Sequence, residues 1–172
     1  MTARICVLIN RKAGRRQADA TEEGLRALFG KYGLSPTFKP LRRGDDVGAL
    51  AGQAVADGFE TIVAAGGDGT VAAAADALHG GKAHFGIIPL GTFNYFARSI
   101  GVPETVRGAV DAIANGAPTS VSVATINGKV FLNNANFGVY PDMLAERETN
   151  YARWGRSRAG AYWSALLTLT RL

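Results

Sequence analysis

Ile62-Val63-Ala64-Ala65-Gly66-Gly67-Asp68-Gly69-Thr70 is the stretch on which the fold of this 172-residue chain turns. Its first four residues form a continuous apolar run, the pattern of a strand buried on both faces of a parallel sheet. Three glycines follow, which permit positive φ and close approach of the backbone to a ligand. An Ala-rich helix is then predicted from Thr70 to about Leu78, so the N–H groups of the turn and of the helix start face an anion. Thr70 either caps that helix or bonds a phosphate oxygen. A carboxylate inside a phosphate cradle is repulsive unless it has a task. For Asp68 the tasks are Mg²⁺ binding, activation of a hydroxyl, or a structural bond to nearby N–H groups. No Walker pattern and no G-x-G-x-x-G is present, which argues against a P-loop or a standard dinucleotide fold.

Working outward, strands and helices alternate. Ile5 to Ile9 reads as another strand buried on both faces, followed by a basic loop and a helix from about Ala18 to Tyr32 with Leu25, Leu28 and Phe29 on one face. Thr37 to Leu41 is a short strand that Pro40 confines to an edge. Asp45 or Asp46 caps a helix running to about Asp57. Phe85 to Ile88 is a fourth strand, Pro89 to Thr92 a tight loop, and a helix starts at Phe93. Pro103 opens a last helix that ends near Asn115 and Gly116. Such alternation predicts an α/β domain over residues 1–118, with a mostly parallel, Rossmann-like sheet and helices on both faces. Ligands of such sheets bind at the carboxyl ends of the strands.

The pattern changes after Pro118. Ser120 to Ile126 alternates, Asn127-Gly128 is a strong hairpin signal, and a second strand runs from Val130 to Phe137. From Pro141 the chain reads as helical. Residues 119–172 are therefore expected to be the incomplete start of a β-rich second domain, since a lone hairpin is marginal in water.

Three loops at strand ends share one design. Asn10-Arg11-Lys12-Ala13-Gly14 combines a polar turn with two cations, the run Gly66 to Thr70 supplies glycines, and Pro89-Leu90-Gly91-Thr92-Phe93-Asn94 places Gly91, Thr92 and Asn94 at a helix start. The net charge of +5 fits anionic partners. Nucleic acid ranks low as one of them, because no recognition motif accompanies the charge. The lone Cys6 lies in an apolar run and is expected to be a buried thiol, with no disulfide and no oxidising compartment implied. His79 and His84 read as structural. No signal peptide and no apolar stretch of the roughly 20 residues that span a bilayer is visible, so a cytoplasmic protein is expected.

GGDGT after a β-branched strand, with PLGTxN some twenty residues later, resembles the diacylglycerol kinase catalytic domain family, which includes bacterial lipid kinases and is related to sphingosine kinases. The resemblance extends to the Asn-x-x-x-Gly loop at the start, to Phe96-Ala97-Arg98 with Gly101-Val102-Pro103, and to Phe131-Leu132-Asn133-Asn134. GGDG alone is shared with NAD kinases and phosphofructokinases; PLGTxN favours the lipid-kinase branch.

The resemblance implies ATP with Mg²⁺, and phosphoryl transfer to a lipid hydroxyl at a membrane surface. Carried over by position, the nucleotide contacts are Asn10, Arg11, Lys12, Ala13 and Gly14; Gly66, Gly67, Asp68, Gly69, Thr70, Val71 and Ala72; and Gly91, Thr92 and Asn94. Asp68 matches the residue considered for hydroxyl activation or phosphate-site organisation; no metal ligand is assigned. Several positions depart from the family pattern. Arg11 stands where Pro is frequent, Ala72 and Ala73 where Asn-Glu is common, Tyr95 where Asp is usual, and an upstream Thr is missing near Pro40. In the family, the second domain supplies a catalytic acid and metal contacts beyond position 172, so the chain by itself is expected to have little kinase activity. The segment from Tyr151 to Leu172, basic and aromatic, reads first as a helix packing on that second domain and second as a membrane-surface helix. A homodimer is a further expectation. An NAD kinase and a non-catalytic nucleotide-binding fragment are the alternatives to a lipid kinase.

Overall fold

The computed structural model describes residues 4–10, 13 and 18–134. The sequence expectations for Arg11, Lys12 and Gly14, and for everything from residue 135 on, including the helix from Tyr151 to Leu172, lie outside the described residues.

Apolar runs of the sequence become the middle of a four-stranded parallel sheet. Its strands are β1 (Ile5–Asn10), β2 (Thr37–Leu41), β3 (Thr61–Gly66) and β4 (His84–Pro89), in the order β2-β1-β3-β4. All three pairings are parallel. β1 and β3 are central, and their side chains are buried on both faces from Cys6 to Ile9 and from Ile62 to Ala65. That is the burial expected of β-branched runs covered by helices on each side. β2 is an edge strand, where the missing N–H of Pro40 costs no ladder bond.

Among the described residues, five helices cover the sheet: α1 (Glu22–Gly30), α2 (Val47–Ala56), α3 (Asp68–Leu78), α4 (Tyr95–Ser99) and α5 (Val106–Asn115). One core joins Val7, Ile9, Val63 and Ile88 to Leu25, Leu28 and Phe29 of α1 and to Val106, Ala109 and Val110 of α5. The other joins Cys6, Leu8, Ile62, Ala64 and Ile87 to α2, α3 and α4 through Ala51, Ala54, Val71, Ala74, Phe96 and Ala97. Alternate residues of each strand serve opposite faces, as the two-residue repeat requires. Cys6 is fully buried and free. Desolvation pushes its thiol above the usual 9.0 and keeps it protonated.

Helix boundaries differ from the sequence expectation for identifiable reasons. The helix expected from Ala18 begins at Glu22, because Thr21 caps it by accepting from Gly24 N at 3.0 Å and a 3₁₀ turn occupies Ala18–Ala20. Asp46, not Asp45, caps α2 by accepting from Ala49 N. Asp45 instead accepts from Arg42 N in the preceding turn. Pro103 lies ahead of α5 rather than in its first turn, and Thr105 caps that helix. Gly116 has φ −75°, so it is not a left-handed terminator. A side chain there would stand 2.3 Å from the Ala112 carbonyl, so close approach is what requires glycine.

A small antiparallel hairpin follows, β5 (Ala124–Ile126) and β6 (Lys129–Phe131). Asn127 and Gly128 both have positive φ, 49° and 77°, as a two-residue hairpin loop demands. The strands are shorter than the sequence pattern suggested. The hairpin docks on α3, where Val130 N donates to Asp76 Oδ1 at 2.7 Å, and Val123 and Leu132 pack on the second core.

Candidate active site

Strand order places the site. The chain moves outward from β1 to β2, returns across β1 to β3, then continues outward to β4. The connections leaving β1 and β3 go to helices on opposite faces, α1 and α3. A crevice opens between two such strands at their carboxyl ends, the usual ligand position in open α/β sheets. Asn10, the last residue of β1, and Thr70, in the first turn of α3, meet there. Asn10 Nδ2 donates to Thr70 Oγ1 at 3.5 Å, the outer limit of a hydrogen bond. Ala13 turns back toward Asn10, its N–H donating to the Asn10 carbonyl at 3.0 Å.

The glycine run does not use the conformations its composition suggested. Gly66, Gly67 and Gly69 are absent from the positive-φ residues. Space is what selects glycine at two of them. A side chain at Gly66 would sit 2.7 Å from Thr70 Cβ, and one at Gly67 would sit 3.3 Å from Gly91 Cα. Gly69 differs: it is exposed, and a side chain there would meet nothing within 4 Å. Helix α3 starts at Asp68, two residues earlier than expected, with Gly67 as its cap residue and no side-chain cap. Thr70 therefore sits inside the first turn with 8% exposure and does not cap the helix. With no capping side chain, the first-turn N–H groups of α3 are left to an external acceptor.

The second loop is built against the first. Leu90 N donates to the Gly66 carbonyl at 2.9 Å. A side chain at Gly91 would stand 2.6 Å from Gly67 Cα and 2.7 Å from Asn94 Oδ1. Asn94 adopts the left-handed conformation at φ 51°, which ends the expected helical start at Phe93 and delays α4 to Tyr95. Its side chain accepts from Gly91 N and donates to the Gly91 carbonyl, both at 2.9 Å. Asn94 N donates to Asp68 Oδ2 at 3.0 Å. Of the three tasks open to Asp68, the structural bond to an N–H is therefore present. That bond uses Oδ2 alone.

The remaining positions divide by accessibility. Thr92 is exposed beside the loop. Val71 is a core residue, its side chain in the second cluster and its N–H donated to the Gly67 carbonyl. Ala72 and Ala73 are half-buried on α3, and α2 approaches Ala73 closely at Gly48. The exposed rings of Phe93 and Tyr95 stack beside Asn94, an arrangement that residue spacing alone does not signal. Nor does it signal the Gly67–Gly91 contact, which joins loops from different strands. A separate depression of about 570 Å³ lies between the 3₁₀ turn and the start of α5. It is lined by Asp19, Glu104 and Arg107 among others and shares no residue with the glycine loops.

The uncapped α3 N-terminus and the open space over Gly69 suit the approach of an anionic phosphate group. Among the described residues no group of three acidic, His or Cys side chains gathers. A Mg²⁺ ion held mainly by substrate phosphates and water would need only one carboxylate, which Asp68 would supply. No described helix is long and apolar enough to cross a membrane.

Comparison with known proteins agrees with this architecture. Residues 4–126 match the diacylglycerol kinase catalytic domain. A "Probable lipid kinase YegS-like" protein of Pseudomonas aeruginosa (strain UCBPP-PA14) is 34% identical over 136 residues, covering 78% of this chain and 43% of the relative. A diacylglycerol kinase of Staphylococcus aureus (strain MRSA252) is 27% identical over 140 residues, covering 80% and 44%. The crystal structure of a diacylglycerol kinase from Bacillus anthracis str. Sterne superposes with a TM-score of 0.65 at 28% identity, over 76% of this chain and 46% of that one. The chain thus spans less than half the length of these relatives. By sequence and by fold, it belongs to the diacylglycerol kinase catalytic domain family.

Proposed function

We propose that this chain is the nucleotide-binding part of an ATP-dependent lipid kinase. One observation carries the reading: two glycine loops meet Cα to Cα at Gly67 and Gly91, tied by the Asp68–Asn94 bond, beside the strand-order switch. Phosphoryl transfer asks a protein mainly to position its reactants and to stabilise charge. The first-turn N–H groups of α3 hold ATP phosphates, and Gly69 lets them come close. Thr70 and Asn10 brace the opposite side of the cradle. Asp68, whose Oδ2 already accepts from Asn94 N, would hold a Mg²⁺ ion, which would supply charge to offset that of the phosphates. A lipid acceptor places the working protein peripherally at the cytoplasmic membrane surface. The hairpin is the start of the β-rich second region proposed from residue 119.

A nucleotide-binding protein without transfer activity is the second reading, favoured by Ala72 and Ala73 at positions where polar residues are common in the family. One experiment separates the readings. The full-length protein is given radiolabelled ATP with diacylglycerol, sphingosine or NAD in parallel. Label in a lipid supports the proposal, label in NAD overturns it, and ATP binding without transfer to any acceptor establishes the second reading.

A further inference from the structure

Asp76 stands in the last turn of α3, which holds no basic residue. That is the unfavourable end of a helix for a carboxylate, because the dipole there is negative, and Asp is a weak helix former besides. Its partner accounts for its presence. Asp76 Oδ1 accepts from Val130 N at 2.7 Å, across 54 residues of sequence. Bonds from a backbone N–H to a carboxylate are short and strong. Among the described residues this is the one hydrogen bond that joins the hairpin to the α/β domain.

Register explains why Val130 needs such a partner. Ile126 and Lys129 flank the two-residue loop and form the hydrogen-bonded pair, so the next pair, Thr125 and Val130, is not hydrogen-bonded. The Val130 N–H therefore points away from β5, and Asp76 receives it. Two three-residue strands do not hold together alone. Val123 and Leu132 add apolar contact with the core that contains Val71, Ala74 and Leu78 of α3. The hairpin is thus fastened to α3, the helix whose uncapped start suits a phosphate. Along that helix Asp68 and Asp76 are about 12 Å apart.

We propose that Asp76 is a positioning residue for phosphoryl transfer: by pinning the hairpin to the phosphate-binding helix, it fixes the point from which the rest of the protein leaves the nucleotide domain. This deepens the lipid-kinase reading and rests on it. That reading gives the nucleotide to the α/β domain, and this chain matches less than half of each curated relative. Acceptor contacts then fall to chain beyond the hairpin, and their alignment with the phosphates depends on where that chain starts. A displacement of about 1 Å made far from the chemistry costs on the order of 100-fold in rate. Asp76 touches no reactant itself and acts through the hairpin.

The test compares the full-length protein with Asp76→Ala, with Asp76→Asn, which keeps an acceptor oxygen for Val130 N, and with Val130→Pro. The last removes the donor without costing a ladder bond and leaves α3 untouched. Asp76→Ala and Val130→Pro are expected to lower kcat for diacylglycerol phosphorylation by about tenfold to 100-fold. The Kd for ATP, read by calorimetric titration, should not change, and Asp76→Asn should restore most of the rate. ATP binding that weakens along with the rate makes Asp76 merely structural and overturns the proposal, and so does an unchanged kcat in Asp76→Ala or Val130→Pro. A loss in Asp76→Asn as deep as in Asp76→Ala assigns the effect to charge and overturns it too. Limited proteolysis reads the latch without catalysis. Faster cleavage between residues 117 and 133 in Asp76→Ala than in the parent or Asp76→Asn, with the rest of the α/β domain intact, upholds the latch even where the parent phosphorylates no lipid, an outcome that sinks only the kinase reading. Equal cleavage in all of them overturns the latch.

Discussion

Asn94 N donates to Asp68 Oδ2 at 3.0 Å, so the carboxylate of the first glycine loop is anchored by the backbone of the second. The residue proposed for chemistry and the residue that shapes the neighbouring loop are thus one unit. Asn94 can serve because its left-handed backbone aims the N–H at Asp68 while its side chain grips both polar groups of Gly91.

Asp68→Asn and Asp68→Ala separate the structural bond from the charge. The asparagine variant keeps an acceptor for Asn94 N and should hold stability within about 0.5 kcal/mol. Loss of the charge should lower kcat by about 100-fold or more in the full-length enzyme, if the carboxylate acts on the acceptor or the metal. Asp68→Ala should cost about 1–3 kcal/mol in denaturant unfolding, because an N–H loses its partner. Full turnover in the asparagine variant would reduce Asp68 to a latch.

Gly69 and Gly91 should respond in opposite ways to the same methyl group. Gly69→Ala meets nothing within 4 Å and lies in the first turn of α3, so the fold should gain up to about 1 kcal/mol. The methyl group should nevertheless weaken ATP binding by crowding the phosphates. Gly91→Ala drives a methyl group to 2.6 Å from Gly67 Cα and should cost about 1–3 kcal/mol. Calorimetric titration with ATP beside thermal unfolding checks both. Unaltered ATP affinity in Gly69→Ala would remove the phosphates from α3.

Asn94→Gly keeps the left-handed backbone available and deletes both side-chain bonds to Gly91. Asn94→Ala deletes the same bonds and adds the conformational cost of φ 51°. The alanine variant should therefore be the less stable by about 1 kcal/mol. Equal stability of the two would mean that the loop relaxes away from this conformation.

Acid should weaken the fold partly through Asp57. The Gln53 amide and the Lys39 ammonium both bond its carboxylate and hold it below the usual 3.8. A depressed folded value means that this contribution is present above the unfolded value and is lost as pH falls through the folded one. At the alkaline end Tyr32, whose hydroxyl donates to Asp111, is raised above 10.0. Its contribution is complete below that value and disappears as pH rises through the folded one. Urea midpoints across pH should show a shallower acid limb in Asp57→Asn and a shallower alkaline limb in Tyr32→Phe. Curves parallel to the parent would disprove either assignment.

Asp76→Ala should release the hairpin. Val130 N then loses its acceptor, and two three-residue strands do not hold together alone. Hydrogen exchange at Val130 should accelerate well beyond that at Val63, which lies in the central strand. Asp76→Asn, which retains an acceptor oxygen, should behave almost as the parent does.

How much was legible differs from element to element. The strands of the sheet and the pairing of helices with them were readable, because buried runs such as Ile5 to Ile9 leave few other structures open. The edge position of β2 followed from a single proline, and the hairpin turn from Asn127-Gly128. Helix starts were misplaced where a local capping hydrogen bond decided them, as at Thr21 and Thr105. The glycines of the first loop were recognised, but for the wrong property: Gly66 and Gly67 are required by crowding from Thr70 and Gly91, not by φ.

By itself the sequence determined the alternation of strand and helix, the burial of the central strands, and which loops could hold an anion, since each depends on neighbours along the chain. Only the tertiary structure decided that Asp68 meets Asn94, that Gly67 touches Gly91, and that Phe93 and Tyr95 stand stacked and exposed beside them. The physical reason is distance. Asp68 and Asn94 are 26 residues apart, and nothing in either segment specifies the other until β3 and β4 pair in register and bring their carboxyl ends side by side.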